Sequence, residues 1–178
     1  MGYIEAICIS RKKGIVKKPV SNSRFLENWG IEGDAHAGKW HRQISLLSGE
    51  SIDKMKEKIP SLSQGAFAEN IITRGINLLK LKTGDKLILN NKVILEITQI
   101  GKECHNSCAI KVRTGDCIMP REGLFARVVK GGSVKSGDSI KVLNSTKVKY
   151  LKREELGKLI LSSTYFITLF NIFKITFY

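Results

Sequence analysis

The stretch GDKLILNNKVILEITQIG, residues 84–101, carries the clearest structural pattern in the chain. Two apolar runs, Leu87–Leu89 and Val93–Ile100, flank Asn90 and Asn91. Asparagine tolerates the positive φ that a two-residue hairpin turn requires, so the pattern predicts a β-hairpin. Alternation along the second strand puts every other side chain on one face. That face carries Val93, Leu95, Ile97 and Gln99.

Similar short apolar runs, punctuated by glycine, predict further strands. These strands are Tyr3–Ser10, Gln43–Leu47, Phe125–Val129 and Ser139–Leu143. Two turn-rich segments are predicted to be loops: the basic RKKGIVKKPVSNSR (residues 11–24) and the glycine-rich KGGSVKSGDS (residues 130–139).

One helix is predicted to begin after Ser48, a suitable N-cap, with Ile52, Met55 and Ile59 at helical spacing and Pro60 as its end. Many short strands and a single clear helix predict a mainly β domain. We expect a twisted, partly closed β-barrel with a few short helices, spanning residues 1–145.

The net charge of +14 is unevenly distributed along the chain. Residues 1–24 carry +5 and residues 147–178 carry +4, which leaves only +5 for the long middle part. That part has neither zinc-finger spacing nor an RNP-type signature, and no basic helix with interleaved aromatic residues. The pattern argues against a specific nucleic-acid partner.

Residues 146–178 form a C-terminal extension that is first basic and then apolar and aromatic. Its apolar part, between Lys158 and Lys174, is shorter than the roughly twenty residues that a membrane helix needs. We expect a docking segment or the remnant of a following domain rather than a membrane anchor.

The N-terminal sequence shows no signal-peptide pattern, so a cytoplasmic location is expected. In that reducing compartment the cysteines are expected to be thiols rather than disulfides. They are Cys8, Cys104, Cys108 and Cys117.

The stretch GIEGDAHAGKWHRQISLLS, residues 30–48, combines glycines with basic and hydrogen-bonding residues. Lys39 and Arg42 supply positive charge, and arginine can hold a phosphate through two hydrogen bonds. His36 and His41 with one aspartate give at most three zinc ligands, in a spacing unlike known zinc motifs. An anion site fits better than a zinc site, and a plain connecting loop stays open on these residues alone.

A second stretch, IGKECHNSCAIKVRTGDCIMPREGLF (residues 100–125), holds three of the four cysteines. Cys104 lies among charged and polar neighbours just past the end of a predicted strand. The nearby cations Lys102, Lys111 and Arg113 favour its thiolate form. Cys104 is therefore the candidate reactive or metal-ligating residue.

The other two cysteines of this stretch, Cys108 and Cys117, have more apolar neighbours and are predicted to pack as small hydrophobic residues. The alternative is a zinc site in which they join Cys104 and His105.

Three ordered blocks of the sequence together resemble a MOSC domain. The blocks are EGDAHAGKWHRQISLLS, then GAFAENIITRGINLLKLKTGDKLILNNKVILEITQIGKEC, then GLFARVVKGGSVKSGDSIKV, and the resemblance spans residues 2–144. MOSC domains occur at the C-terminus of molybdenum cofactor sulfurases and as stand-alone bacterial proteins. The resemblance implies a twisted, partly closed β-barrel, in agreement with the fold predicted from the residues.

The resemblance also implies a site for molybdenum cofactor (molybdopterin), whose pterin carries a phosphate and a metal-binding dithiolene. In family members that bind it, a cysteine after the long strand ligates molybdenum or carries a transferable sulfur, and Cys104 occupies that place here. His36, Arg42, Ser45 and Asn70 are predicted to line the pterin or phosphate side.

The implied function is a molybdenum-cofactor-binding domain for cofactor sulfuration, sulfur or metal carriage, or molybdenum-dependent redox chemistry. Such a domain acts as a sulfur-transfer protein or an oxidoreductase, with cofactor-biosynthesis or sulfurase proteins as partners. The sulfurase's pyridoxal-phosphate half has no counterpart in this sequence, so no covalently bound pyridoxal phosphate is expected. The alternative is a non-enzymatic zinc- or sulfur-binding carrier or interaction module that uses Cys104, Cys108 and Cys117.

Overall fold

The computed structural model describes residues 2–103 and 109–143. Nearly all of them belong to one compact unit, Met1–Val142. Its strands are β1 (Gly2–Ile9), β2 (Lys18–Val20), β3 (Asn22–Leu26), β4 (Gly30–Ile31), β5 (Ile44–Ser48), β6 (Ile71–Arg74), β7 (Lys86–Leu89), β8 (Val93–Ile100), β9 (Leu124–Lys130), β10 (Gly132–Lys135) and β11 (Ser139–Leu143). The helices are α1 (Gly49–Lys56), α2 (Ala109–Thr114) and α3 (Met119–Glu122), and Leu78–Lys80 forms a short 3-10 helix. The C-terminal extension predicted for residues 146–178 lies outside the described residues.

Seven strands form a closed barrel in the order β1-β11-β7-β8-β9-β5-β6, with β6 pairing back to β1. Only two residue pairs join β1 to β11, Gly2 with Ile140 and Tyr3 with Ser139. β2 pairs with the other end of β1, and β10, β3 and β4 form a separate small sheet. The predicted mainly β barrel with a few short helices is confirmed.

The hairpin of β7 and β8 forms where the asparagines predicted it. Asn90 and Asn91 have φ of 49° and 54°, and Lys92 N donates to Leu89 O across the turn at 3.0 Å. The register pairs Leu89 with Val93, so the loop is one residue longer than the predicted two-residue turn.

The hydrophobic core has two parts, and consecutive strand residues contribute to different parts. Leu46 belongs to the first cluster with the inner residues of β8, and Leu47 belongs to the second. Because strand side chains alternate, the two clusters lie on opposite sides of the barrel wall. The second cluster also contains Ile52 of α1, Ile110 of α2 and Met119 of α3, so the helices cover the outside of the wall.

Both predicted loops contain strands. Residues 11–24 include β2 and the start of β3, and residues 130–139 include β10, which pairs with β3. β2 is mostly exposed, so it lacks the apolar alternation that marks a half-buried strand. These strands form because they pair with distant partners, and their local sequence does not reveal this.

Helix α1 begins as predicted, because Ser51 N donates to the Ser48 hydroxyl at 3.3 Å. It ends at Lys56 rather than at Pro60. The following residues form irregular turns in which Lys58 N and Ile59 N both donate to the carbonyl of Met55. Across residues 2–103 and 109–143, the helices are too short or too polar to cross a membrane.

Candidate functional site

A pocket of about 260 Å³ lies beside the first residues of β5. Its walls include the four residues predicted from the sequence to bind a cofactor, His36, Arg42, Ser45 and Asn70. These residues come from two segments separated by α1, and strand pairing brings them together. Whether they bind a cofactor stays a prediction.

The strand registers explain why these segments meet. β5 runs parallel to β6, with Leu46 beside Ile71, so Ser45 and Asn70 are neighbours at the start of the two strands. On its other side β5 runs antiparallel to β9, which sets Phe125 opposite Ser45. The pocket therefore rests on the barrel wall itself, which is its most rigid support.

Ser45 and Asn70 are buried and hold the wall of the pocket together. Ser45 N and Ser45 Oγ both lie 3.1 Å from Asn70 Oδ1, and Asn70 Nδ2 donates to Cys8 O at 3.0 Å. Ser45 Oγ also lies 3.1 Å from Ala68 O. Most of their hydrogen-bonding capacity is thus used inside the protein, which suits positioning more than direct contact with a ligand.

The Arg42 guanidinium lies between two aromatic rings, 5.1 Å from the centroid of Trp40 and 5.7 Å from that of Phe125. Its Nε atom is buried and has no hydrogen-bond partner, and no carboxylate of the described ranges pairs with the group. Leaving a buried donor unsatisfied costs about 1–3 kcal/mol. The stacked, unpaired guanidinium is therefore suited to an anionic ligand.

The other charges at the pocket have the same sign. Lys13 and Lys102 join Arg42 in its lining, which His36 shares, and none of the described lining residues is acidic. Lys39, which the sequence analysis also considered as a source of charge, is exposed and does not line the pocket. The pocket thus offers basic donors beside aromatic surface, a combination that fits a phosphate attached to a flat ring system.

A wider groove of about 460 Å³ continues from this pocket and shares Phe67, Lys102 and Met119 with it. Its other walls are largely apolar, including the exposed Ile15 and the buried Leu62. The pocket and the groove together can accommodate a ligand larger than a phosphate group.

A buried ion pair lies behind His36. Lys17 Nζ is 2.5 Å from Asp34 Oδ1, and both side chains are almost completely buried. Burial alone would raise the pKa of Asp34, but its interactions with His36, Lys17 and Ser10 outweigh burial and lower this pKa well below its usual range. Burial lowers the pKa of Lys17, and the charged Asp34 opposes that effect. We infer an ionised Asp34 that holds the Lys17 ammonium in place.

A second buried carboxylate, Glu69, fixes the loop that carries Phe67. Its two oxygens accept hydrogen bonds from Gly65 N at 2.7 Å and Phe67 N at 2.9 Å. Burial raises the pKa of Glu69 to about 7, although these hydrogen bonds and Lys17 act in the opposite direction. The loop therefore contains a carboxyl group, that of Glu69, which takes up a proton as pH falls through about 7.

This pKa predicts that the free energy of unfolding decreases as pH rises from about 4.5 to about 7. The folded state binds the Glu69 proton more tightly than the unfolded state, so the stabilisation is complete below the ordinary glutamate value of 4.5 and is lost as pH rises through 7. The whole difference amounts to roughly 3 kcal/mol. Urea unfolding at a series of pH values measures it.

The Glu69→Gln variant is the matched control, because it removes the titrating group and keeps the side-chain shape. Its stability should vary much less with pH over this window, whatever its absolute value. Equal slopes for the variant and the wild-type protein would show that Glu69 is not the group responsible.

The described cysteines are both buried. Burial, followed by the nearby Glu69, raises the pKa of Cys8 to about 12, so Cys8 stays a thiol. Cys117 packs in the second core cluster, in line with the packing role predicted for it. Cys104, the predicted metal ligand, and Cys108 and His105 of the alternative zinc site lie outside the described residues. The described ranges contain no cluster of three or more metal-ligating side chains.

Some residues around the pocket were not selected from the sequence. Lys17 was assigned to a basic loop, and nothing distinguishes it from the other cations of residues 11–18. Phe125 was interpreted only as a strand residue, and Phe67 belongs to the GAFAEN segment from which only Asn70 was chosen. The block pattern that singled out Asn70 could have indicated Phe67 as well.

The comparisons with known proteins agree with this architecture. A family model of the MOSC domain matches residues 33–141. A search of curated proteins finds no match. The MOSC family is associated with the molybdenum cofactor.

Solved structures share the fold at low sequence identity. The YuaD protein from Bacillus subtilis is 22% identical with a TM-score of 0.66, over 80% of this chain and 96% of that one. YiiM from Geobacillus stearothermophilus is 17% identical with a TM-score of 0.60, over 81% and 76% of the two chains. YiiM from Escherichia coli is 16% identical with a TM-score of 0.56, over 80% and 70%. With the family model matching more than half of its length, the chain belongs to the MOSC domain family.

Proposed function

We propose that this protein binds molybdenum cofactor in the pocket of Arg42 and serves in cofactor sulfuration, sulfur or metal carriage, or molybdenum-dependent redox chemistry. The observation that carries the proposal is the guanidinium of Arg42, which lies over the rings of Trp40 and Phe125 and has a buried Nε that lacks an acceptor. Such a group can bind the phosphate of the cofactor, while the rings beside it can contact the flat pterin.

The polar residues of the lining have different roles in binding the cofactor. Arg42 and His36 are the lining donors that come from the segment leading into β5, and Lys13 and Lys102 add charge from two other segments of the lining. Ser45 and Asn70 keep the wall in position through their internal hydrogen bonds. When bound, the cofactor supplies a sulfur-coordinated molybdenum centre for sulfur transfer or electron transfer.

Cys104 is proposed as the protein ligand or the sulfur-carrying residue at the metal. It follows Lys102, which lines the pocket, by two residues, and two residues of chain span at most about 7 Å. A thiolate is a soft ligand, and molybdenum held by sulfur atoms is a soft centre. The chain length supports the proposal independently of the family resemblance, whereas the ligand argument depends on the cofactor with which the family is associated.

Metal analysis of the full chain purified from a host that makes molybdenum cofactor tests the proposal directly. We expect molybdenum and pterin at about one per chain. Zinc without molybdenum would support the alternative, a carrier or interaction module that uses Cys104, Cys108 and Cys117, and would contradict the cofactor proposal.

Substitution of Arg42 by alanine is expected to weaken cofactor binding about 10- to 100-fold, because a charge-assisted hydrogen bond contributes roughly 1.5–3 kcal/mol. Arg42→Lys should recover only part of this affinity, since lysine keeps the charge and loses the flat stacked group. Equilibrium dialysis, with bound pterin quantified by its fluorescence, measures the change.

Arg127→Ala is the matched control. Arg127 is exposed, pairs with Glu96 at 3.0 Å and does not line the pocket. It should leave the affinity within about twofold, since an exposed pair outside the site contributes little. An equal loss in the Arg42 and Arg127 variants would indicate general charge attraction and would contradict a site at Arg42.

A further inference from the structure

Every donor of the buried Lys17 is used within the protein. Its Nζ atom lies 2.5 Å from Asp34 Oδ1, 2.7 Å from Asp34 Oδ2 and 3.3 Å from His36 Nδ1. A lysine ammonium has three hydrogens and no acceptor, so three neighbours account for all three hydrogens. Because an ammonium cannot accept, the 3.3 Å contact with His36 Nδ1 is a hydrogen bond only with Lys17 as its donor.

The acceptors of Asp34 are used in the same complete way. Besides the two contacts with Lys17, Oδ1 accepts from Ser10 N at 3.0 Å and Oδ2 accepts from His36 N at 3.1 Å. His36 Nδ1 lies 3.6 Å from Asp34 Oδ2, beyond hydrogen-bond distance. Lys17 rather than the Asp34 carboxylate is therefore the hydrogen-bond partner of the ring, and Nδ1 acts as the acceptor.

A neutral imidazole carries one hydrogen, so a ring that accepts at Nδ1 carries its hydrogen at Nε2. We propose that Lys17 and Asp34 are positioning residues that fix His36 as an N–H donor in the lining of the Arg42 pocket. The inference rests on the proposed function for the identity of the ligand. It adds that the ligand group facing His36 accepts a hydrogen bond, as a phosphate oxygen does.

The same arrangement disfavours a metal ion at His36. A metal ligand must offer a nitrogen lone pair, and here the Nδ1 lone pair is engaged by Lys17 while Nε2 bears the hydrogen. Histidine is the commonest metal-binding side chain. A zinc site would nevertheless need a histidine with a free ring lone pair, which His36 does not offer in this arrangement.

Long-range proton–nitrogen NMR of the full chain, labelled with 15N in histidine, tests the clamp without any cofactor. Loss of a signal in His36→Gln assigns the ring. In the wild-type protein at a pH where the ring is neutral, we expect a pyrrole-type Nε2 and a pyridine-type Nδ1. A pyrrole-type Nδ1 would overturn the proposal.

The Lys17→Met variant removes the donor and keeps the length of the side chain. We expect the hydrogen of His36 to move to Nδ1, where Asp34 becomes its acceptor, which is a reversal that a general loss of stability does not produce. A folded variant that keeps the Nε2–H form would overturn the role of Lys17. Should an unpaired Asp34 prevent folding, the wild-type spectrum still decides the question.

His41 is an internal control in the same spectra. Its Nε2 lies 3.1 Å from Gln99 Oε1, and Gln99 Nε2 donates to Gly101 O at 2.7 Å, which fixes Oε1 as the acceptor. His41 should therefore also be an Nε2–H ring, held by Gln99, and it should not change in Lys17→Met.

Titration with inorganic phosphate at constant ionic strength tests the ligand class. The His36 signals should shift on addition of phosphate while the His41 signals do not, and Lys17→Met should raise the apparent Kd about tenfold or more. An Nε2–H form of His36 whose signals do not shift with phosphate would support the role of Lys17 and Asp34, and it would count against the anion pocket of the proposed function. The two failures are therefore distinguishable.

Discussion

Substitution of Cys104 by serine is expected to reduce molybdenum retention from about one atom per chain to background. Serine has nearly the same size, but its hydroxyl is a hard and poorly ionised ligand, whereas a thiolate suits a soft, sulfur-bound metal. The fold should be unaffected, because Cys104 stands between Glu103 and His105 in the sequence, a charged and polar setting that is untypical of a core residue. Metal content and melting temperature, measured on the same preparation, separate these two effects.

Cys117→Ser provides the matched control for this variant. Cys117 is 6% exposed and packs in the second core cluster, so a hydroxyl there should cost about 1–3 kcal/mol of stability while molybdenum is retained. Cys108→Ser is predicted to behave in the same way. Retention of molybdenum by Cys104→Ser would contradict its assignment, and loss of zinc from all three variants together would favour the alternative zinc site.

Replacing Gly65 by alanine is expected to destabilise the protein by about 2–5 kcal/mol. Gly65 has a φ of +83°, which costs an L-residue about 1–2 kcal/mol. A β-carbon there would also lie 2.1 Å from the carbonyl oxygen of Lys17, and backbone atoms can move away only by shifting the chain. Such overpacking adds about 1–3 kcal/mol. Urea unfolding measures the loss.

Gly137→Ala isolates the contact from the backbone conformation. Gly137 has a similar φ of +87°, and no atom lies within 4 Å of the position of an added β-carbon. This variant should lose only the 1–2 kcal/mol of the conformational cost. If Gly65→Ala were no less stable than Gly137→Ala, the loop of Glu69 would not be held against Lys17 as the structure describes.

The parts of the fold that could be predicted are those with local causes. Asn90 and Asn91 can adopt positive φ by themselves, and Ser48 caps α1 with its own side chain, so short windows of sequence were sufficient. β2 and β10 were missed because their pairing partners are β1 and β3. Propensity within a window does not report such distant pairing.

The site shows the same division. His36, Arg42, Ser45 and Asn70 were predicted as one site, and strand pairing does bring them to one pocket. The residue types do not reveal that Ser45 and Asn70 form their hydrogen bonds within the barrel wall. Nor do they reveal that the Arg42 guanidinium lies over the rings of Trp40 and Phe125. Those facts depend on side-chain directions, which only the folded chain defines.

Lys17 is the least predictable member of the site. The other cations of residues 11–18 are exposed, yet Lys17 is 1% exposed and paired with Asp34. A buried lysine is recognisable only through a partner, and this partner lies in a different predicted segment. The role of Cys104 stays a prediction. It is argued from sequence and chemistry alone, because Cys104 lies outside the described residues.

The short pairing of Gly2 and Tyr3 with Ile140 and Ser139 has a consequence for biosynthesis. At about 5–20 residues per second, a ribosome needs roughly 7–26 s to pass from β1 to β11. Throughout that interval the nascent chain has strands whose neighbours do not yet exist, and open strand edges recruit other chains. The yield of soluble protein should therefore depend on translation speed and on chaperone supply during the interval before β11 has been made.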